Sequence, residues 1–365
     1  MEESGSRIEK QAAAGTMAAK EHGPMPSDRA PLVEVENLRV RFATDDGVID
    51  AVSDVSFTIP QSGAVGLVGE SGCGKSMTGL SLLQLVPPPG RIDGGAIRYH
   101  RIAHAGAPCK VVDIAALPPR GDTVRSIRGA EIAMIFQEPM SSLNPVYTIG
   151  SQIAEMVRTH EEASAREARA RAIEMLRRVG IPDPEQRVDA YPHQLSGGMR
   201  QRAMIAMALV CRPRMLIADE PTTALDVTVQ AQILDLMRSL QEELGMAILI
   251  ISHDLGVIAD LAETVVVMYA GKVVEEGPAQ EIFDSPQHPY TRGLLRAAPV
   301  MGQPSQNRLY SIPGTVPHPL AMPRGCAYRP RCPERLARCI EPPALKPTAA
   351  GHLARCWARE AEARG

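Results

Sequence analysis

The chain has 365 residues, long enough for one large core and a smaller appended unit. Hydrophobic residues make up 44% but aromatics only 3%, so Ala, Val, Ile, Leu and Met must fill the interior. With 39 basic against 42 acidic side chains, the net charge of -3 gives no electrostatic case for nucleic acid as the main partner.

Residues 1–30 mix Gly, Ser, Ala and charges and hold no apolar stretch, which predicts a disordered lead-in and no secretory signal. No segment approaches the ~18 consecutive apolar residues of a membrane span. A cytosolic protein is expected, and there disulfides are rare. From Leu32 the pattern alternates: Val33, Val35, Leu38, Val40 and Phe42, then Val55, Phe57 and Ile59, predict strands. Gly63–Val68 suits a buried strand, and Lys75–Val86 reads as a helix stopped by Pro87–Gly90. Residues 98–128 read as an irregular insertion, and Ile132–Phe136 as another short strand. Between 148 and 180 the period becomes helical, with Ala172, Met175 or Leu176, and Val179 on one face. This predicts a helical subdomain, about 148–212, set into an α/β core. Helix Gly198–Val210, strand Met215–Ala218, helix Val227–Leu244, strand Met246–Ile251 and a helix from Asp254 then alternate, which implies a mostly parallel sheet covered by helices. The main domain is expected over 31–285. Thirteen of the 31 prolines and a cluster of four cysteines follow it, so a smaller domain is expected over 286–365. No internal repeat is visible.

Gly69-Glu70-Ser71-Gly72-Cys73-Gly74-Lys75-Ser76 fits G-x-x-x-x-G-K-[ST]. The glycines let backbone N–H groups curl round a phosphate, and the loop opens onto a helix N-terminus that favours an anion. Lys75 can reach the β- and γ-phosphates, and the Ser76 hydroxyl can ligate Mg²⁺. The context, after a buried strand and opening a helix, is the one the motif requires. A second apolar strand ends in Asp219-Glu220. Asp219 is placed to hold Mg²⁺ and Glu220 to polarise the attacking water as general base.

Leu195-Ser196-Gly197-Gly198-Met199-Arg200-Gln201, lying between the phosphate loop and the acid pair, resembles the signature sequence of ATP-binding-cassette (ABC) ATPases. The resemblance covers roughly residues 32 to 340. It implies an α/β P-loop ABC nucleotide-binding domain with a parallel-sheet core, an antiparallel β subdomain, a helical subdomain and a small cysteine-containing C-terminal extension. It also implies ATP hydrolysis at a site shared by two cassettes, in which Leu195, Ser196, Gly197, Gly198 and Gln201 face the ATP bound by the opposite subunit. Phe42 matches the aromatic that stacks on adenine, and Gln137 the glutamine that touches Mg²⁺ and water. Ala224-Leu225-Asp226 matches the D-loop, and His253 the switch histidine at the γ-phosphate. Cys73, at a variable loop position, reads as structural.

Gln137-Glu138-Pro139-Met140-Ser141-Ser142-Leu143-Asn144-Pro145, Tyr191-Pro192-His193-Gln194 and His288-Pro289-Tyr290-Thr291-Arg292 resemble segments of the oligopeptide, dipeptide and nickel importers. The resemblance implies two separate permease subunits, a second ABC ATPase subunit, commonly a different chain, and an extracytoplasmic binding protein that selects the substrate. It places the chain on the cytoplasmic face of the inner membrane. Peptide, nickel and other small solutes stay open as cargo. A soluble ABC ATPase of DNA repair or translation is the rival class, although one cassette with a modest insertion and no basic stripe argues against it.

Cys326, Cys332, Cys339 and Cys356 lie at C-x5-C-x6-C-x16-C. Four thiolates can close a zinc site or hold a 4Fe–4S cluster. Zinc ribbons favour C-x2–4-C pairs, and the wider spacing suits a bulkier cluster. The frame Gly325-Cys326 and Arg331-Cys332-Pro333 also resembles a region of peptide-importer ATPases in which such clusters occur. Iron–sulfur, zinc and unligated cysteines all remain open.

Overall fold

The computed structural model describes residues 29–101, 109–137, 142–223, 225–298, 310–349 and 351–362. The expected lead-in at 1–28 lies outside them, as do Glu138–Ser141 and Ala224.

Two sheets form the framework. β1 (Pro31–Thr44), β2 (Gly47–Pro60), β4 (Gly90–Arg101) and β5 (Lys110–Asp113) make an antiparallel sheet in the order β2-β1-β4-β5. Alternation drives it: Val33, Val35, Val52, Ile59, Ile97 and Tyr99 point inward and are buried. Residues 98–128 are therefore not irregular where they are described. They complete β4, form β5, and end in the short helix α2 (Asp122–Ile127), whose Val124 and Ile127 are buried. The alternating pair Ile97 and Tyr99 was the signal for the strand.

The larger sheet adds β3 (Ala64–Val68), β6 (Ile132–Ile135), β7 (Met215–Asp219), β8 (Ala247–Ser252), β9 (Thr264–Tyr269), β10 (Lys272–Pro278), β11 (Lys346–Ala349) and β12 (His352–Ala354). Its order is β11-β12-β10-β9-β3-β8-β7-β6, parallel from β9 through β6 and antiparallel from β9 to β11. β3, β7 and β8 are buried along their whole length, as strands covered on both faces must be. Each fully buried Val, Ile or Leu there contributes about 1.5–3 kcal/mol.

Helices α1 (Lys75–Ser81), α3 (Ile149–His160), α4 (Ala165–Arg178), α5 (Pro184–Arg187), α6 (Gly197–Leu209), α7 (Val227–Leu244), α8 (Leu255–Leu261), α9 (Ala279–Asp284), α10 (Pro289–Ala297) and α11 (Trp357–Glu362) follow. α3 to α6 lie in the segment expected to be a helical subdomain. Ser164 and Glu167 form a capping box on α4, and Thr148 caps α3. α1 ends earlier than the expected Val86, because Gln84 turns left-handed at φ 53° and its amide donates to the carbonyls of Ile114, Ala115 and Leu117. A tertiary anchor outweighs local helix propensity at that point.

Residues beyond 285 pack into the same core as the sheet and its helices: Tyr290, Ile312 and Tyr328 belong to its buried cluster. β12 also pairs with β10, so the C-terminal segment extends the main sheet rather than standing apart from it. Among the described residues no helix is long and apolar enough to cross a membrane.

Candidate active site

The loop after β3 curls tightly because its glycines allow it. A Cβ on Gly69 would lie 2.2 Å from the Met268 carbonyl oxygen, and one on Gly74, at φ 102°, 2.4 Å from that of Ala51. Lys75, only 5% exposed, sends its ammonium back into the curl, donating to the carbonyls of Gly69 (2.7 Å) and Glu70 (3.1 Å). Ser71 and Gly72 are exposed on the crown. Cys73 is buried, and burial pushes its thiol up, so it is a protonated packing residue. Glu70 turns away from the crown: its backbone N–H donates to the Tyr290 hydroxyl (2.8 Å) and its carboxylate takes both arms of Arg331.

β7 delivers the acid pair to this loop. The Ser76 hydroxyl donates to Asp219 Oδ1 at 3.1 Å. Asp219 is 5% exposed, and burial raises its carboxyl against the opposing hydrogen bond from Ser76. A buried carboxylate beside a hydroxyl is a hard-oxygen donor pair, which fits Mg²⁺. Glu220 has φ 49°, a left-handed conformation strained for a residue with a side chain, and is held by a backbone bond to Ile251.

Three side chains converge on the Glu220 carboxylate. His253 Nδ1 lies 3.0 Å from Oε1, while Gln137 Nε2 (3.0 Å) and Thr223 Oγ1 (2.9 Å) donate to Oε2. Burial pushes this carboxyl up, but the bonds from His253 and Thr223 outweigh it and hold it below the usual range. It is therefore ionised near neutrality, as a base must be. The structure thus brings Gln137, Glu220 and His253 together from three strand ends. Thr223 was not foreseen, and a threonine three residues after the acid offers no separate signal in sequence.

The glycine-rich segment 195–198 lies at the surface. Leu195 is buried and anchors it, while Ser196 and Gly197 are exposed. Ser196 caps α6, accepting from Met199 N. Gln201 does not face outward with them. It is 2% exposed and donates to the Pro221 carbonyl at 2.5 Å, because α6 carries that position round to the core. It ties this helix to the residue after Glu220. Asp226 caps α7, accepting from Val229 N at 2.9 Å. The Phe42 ring lies against Gly90.

The four C-terminal cysteines share one neighbourhood. Burial raises the thiols of Cys326, Cys332 (to about 11) and Cys356. Cys339 and Cys356 raise Cys326 further, Cys332 feels all three others, and Cys339 also raises Cys356. Among the described residues, however, no group of three or more His, Cys, Asp or Glu side chains is placed to hold a metal ion. The iron–sulfur and zinc expectations thus have no assembled ligand set in this structure.

A family model described as "ABC transporter" matches residues 52–223, and one described as "Oligopeptide/dipeptide transporter, C-terminal region" matches 274–339. Two relatives from Brucella abortus (strain 2308), each named "Putative peptide import ATP-binding protein", are 51% identical over 327 and 335 residues. Each match covers 90% of this chain, and 95% and 97% of the relatives. Among solved structures, the dimeric MJ0796, described as a bacterial ABC transporter cassette, is 26% identical with a TM-score of 0.58. It covers 68% of this chain and 98% of its own. The cbiO1 protein of Clostridium perfringens, described as part of the ABC transporter complex cbiONQ, is 26% identical with a TM-score of 0.57, covering 70% and 91%. The P-loop, the acid pair and the converging Gln137 and His253 thus stand on a fold shared with solved cassettes, and the chain belongs to the ABC transporter family of ATP-binding proteins.

Proposed function

We propose that this chain is the ATP-hydrolysing subunit of an importer whose cargo is peptides, working with two permease subunits, a second cassette and, indirectly, an extracytoplasmic binding protein. The observation that carries the hydrolytic reading is the convergence on Glu220: an ionised carboxylate, oriented by Thr223, His253 and Gln137, beside the Ser76–Asp219 pair. The peptide reading rests on the names of the relatives and on the match to the C-terminal region.

The loop Gly69–Ser76 binds the ATP phosphates through backbone N–H groups and Lys75, and Phe42 stacks on adenine. Ser76 and Asp219, with Gln137, would hold Mg²⁺, which shields charge on the transferred phosphoryl group. Glu220 takes a proton from water, and His253 contacts the γ-phosphate. Ser196, Gly197 and Gly198 present a helix N-terminus to the ATP of the opposite cassette. Catalysis is positioning and charge stabilisation. The apolar groove lined by Leu85, Phe136, Met156, Met204 and Met207, with exposed Val146 and Tyr147 nearby in sequence, suits a permease helix at the cytoplasmic face of the inner membrane.

The test is Glu220→Gln in the assembled importer. Mg-ATP binding is retained while turnover falls by roughly 100-fold or more, the range for a lost general base. Unchanged hydrolysis would remove Glu220 as the base.

The four cysteines are proposed, on their C-x5-C-x6-C-x16-C spacing alone, as ligands of a 4Fe–4S cluster, with zinc as the alternative, although the described residues do not assemble the ligand set. Anaerobically purified protein should be brown, with iron and sulfide in stoichiometric amounts. Colourless protein carrying zinc replaces the cluster with zinc, and metal-free protein ends both.

A further inference from the structure

The P-loop is not held by the core alone. Its second residue, Glu70, is gripped from the C-terminal segment at both backbone and side chain. The Tyr290 hydroxyl accepts the Glu70 N–H at 2.8 Å. Arg331 donates Nη1 to Oε2 (2.7 Å) and Nη2 to Oε1 (3.0 Å), a two-armed pair with the Glu70 carboxylate. The arginine side chain is 4% exposed and is itself fixed. Its Nε donates to the Pro313 carbonyl (3.0 Å), Nη2 also reaches that of Ile312 (3.3 Å), and Nη1 the Tyr269 hydroxyl (3.4 Å). The guanidinium sits 5.8 and 5.9 Å from the ring centroids of Tyr269 and Tyr328, and these two rings pack on Tyr290. Arg331 also immediately precedes Cys332, inside the cysteine unit.

This arrangement answers an electrostatic problem. A carboxylate in a loop that binds a polyphosphate repels its ligand. Without a partner, Glu70 would also be free to accept the N–H groups that should meet the phosphates. We propose that Arg331 and Tyr290 are positioning residues for nucleotide binding: Arg331 neutralises Glu70 and turns it away from the phosphates, while Tyr290 fixes the Glu70 backbone. The C-terminal segment thereby sets the affinity of the P-loop for ATP. The proposal rests on the reading of Gly69–Ser76 as the nucleotide site, and Mg-ATP binding by the wild-type chain is the control that separates the two.

The measurement is the Kd of Mg-ATP for the full-length chain by titration calorimetry, with circular dichroism confirming the fold of each variant. Arg331→Met should bind roughly 3- to 10-fold more weakly, the effect of one unshielded charge among partly screened phosphates. Arg331→Lys, which keeps the charge but loses the fork, should lie between. Adding Glu70→Gln to Arg331→Met should recover most of the loss, a rescue that a purely structural arginine would not show. Tyr290→Phe should weaken it, since the Glu70 N–H loses its acceptor. An unchanged Kd in folded Arg331→Met, or a double variant no better than the single, overturns the proposal. If Arg331→Met does not fold, an unchanged Kd in folded Arg331→Lys overturns it. A wild-type chain that binds no Mg-ATP sinks the nucleotide reading itself.

Discussion

The two glycine-rich motifs of this chain, Gly69–Ser76 and Ser196–Gly198, are built differently. The loop Gly69–Ser76 is fastened at its base and flanks, with only the crown Ser71–Gly72 exposed: Gly69 packs close to Met268, Gly74 to Ala51, Ser76 bonds Asp219, and Glu70 is held by Tyr290 and Arg331. The segment Ser196–Gly198 offers an exposed helix start, anchored by the buried Leu195 before it. One is braced by the body of the protein. The other is an exposed helix start, which in the proposed two-cassette arrangement would meet the ATP of the opposite cassette.

The difference can be broken from either side. Lys75→Ala should weaken Mg-ATP binding by the isolated chain roughly 10- to 100-fold, the worth of hydrogen bonds from a charged donor. Gly197→Asp should leave that binding intact, because an acidic residue at a helix start is compatible with the fold. It should still abolish turnover in the assembled importer, where the new charge meets the partner's phosphates. Equal loss of binding in both variants would erase the difference between the two elements.

A smaller effect sharpens the role of the C-terminal grip. His288 is buried and caps α10, its Nδ1 accepting from Tyr290 N at 3.1 Å, so the ring must be neutral. Burial pushes it down to about 4 from 6.5, against the pull of the Glu275 carboxylate. The folded state resists protonation, so its contribution to stability is complete above pH 6.5 and is lost as the pH falls toward 4. The loss is about 3 kcal/mol by linkage. Thermal unfolding followed from pH 7 to pH 4 should show this destabilisation, and His288→Gln should lessen it, leaving the share of His160 and the paired carboxylates. A wild-type profile that is flat over that window would remove His288 as its source.

Much of this was legible in sequence, and the reasons are local. The P-loop and the Asp219-Glu220 pair are contiguous motifs whose spacing is their chemistry, and α7 was foreseen at Val227–Leu244 because periodicity and the flanking Asp226 and Gly245 agree. What escaped depended on contacts distant in the chain. α1 stops early because Gln84 is bonded to residues 30 and more positions away. Gln201 was grouped with its motif, yet the helix turns it inward onto Pro221. Tyr290 lay within a recognised segment and Arg331 beside a recognised cysteine, but their partner Glu70 is 220 and 261 residues away. No pattern within a window can show such a pair.

The central claim is that this chain holds a whole nucleotide-binding loop but only half of a hydrolytic site. The direct measurement is Mg-ATP binding and turnover per chain as the purified protein is diluted, and again with the chain assembled with its second cassette and permeases. Saturable binding is expected at every dilution, with turnover that falls toward zero in the isolated chain and returns on assembly. A turnover per chain that is constant on dilution and indifferent to assembly would contradict it.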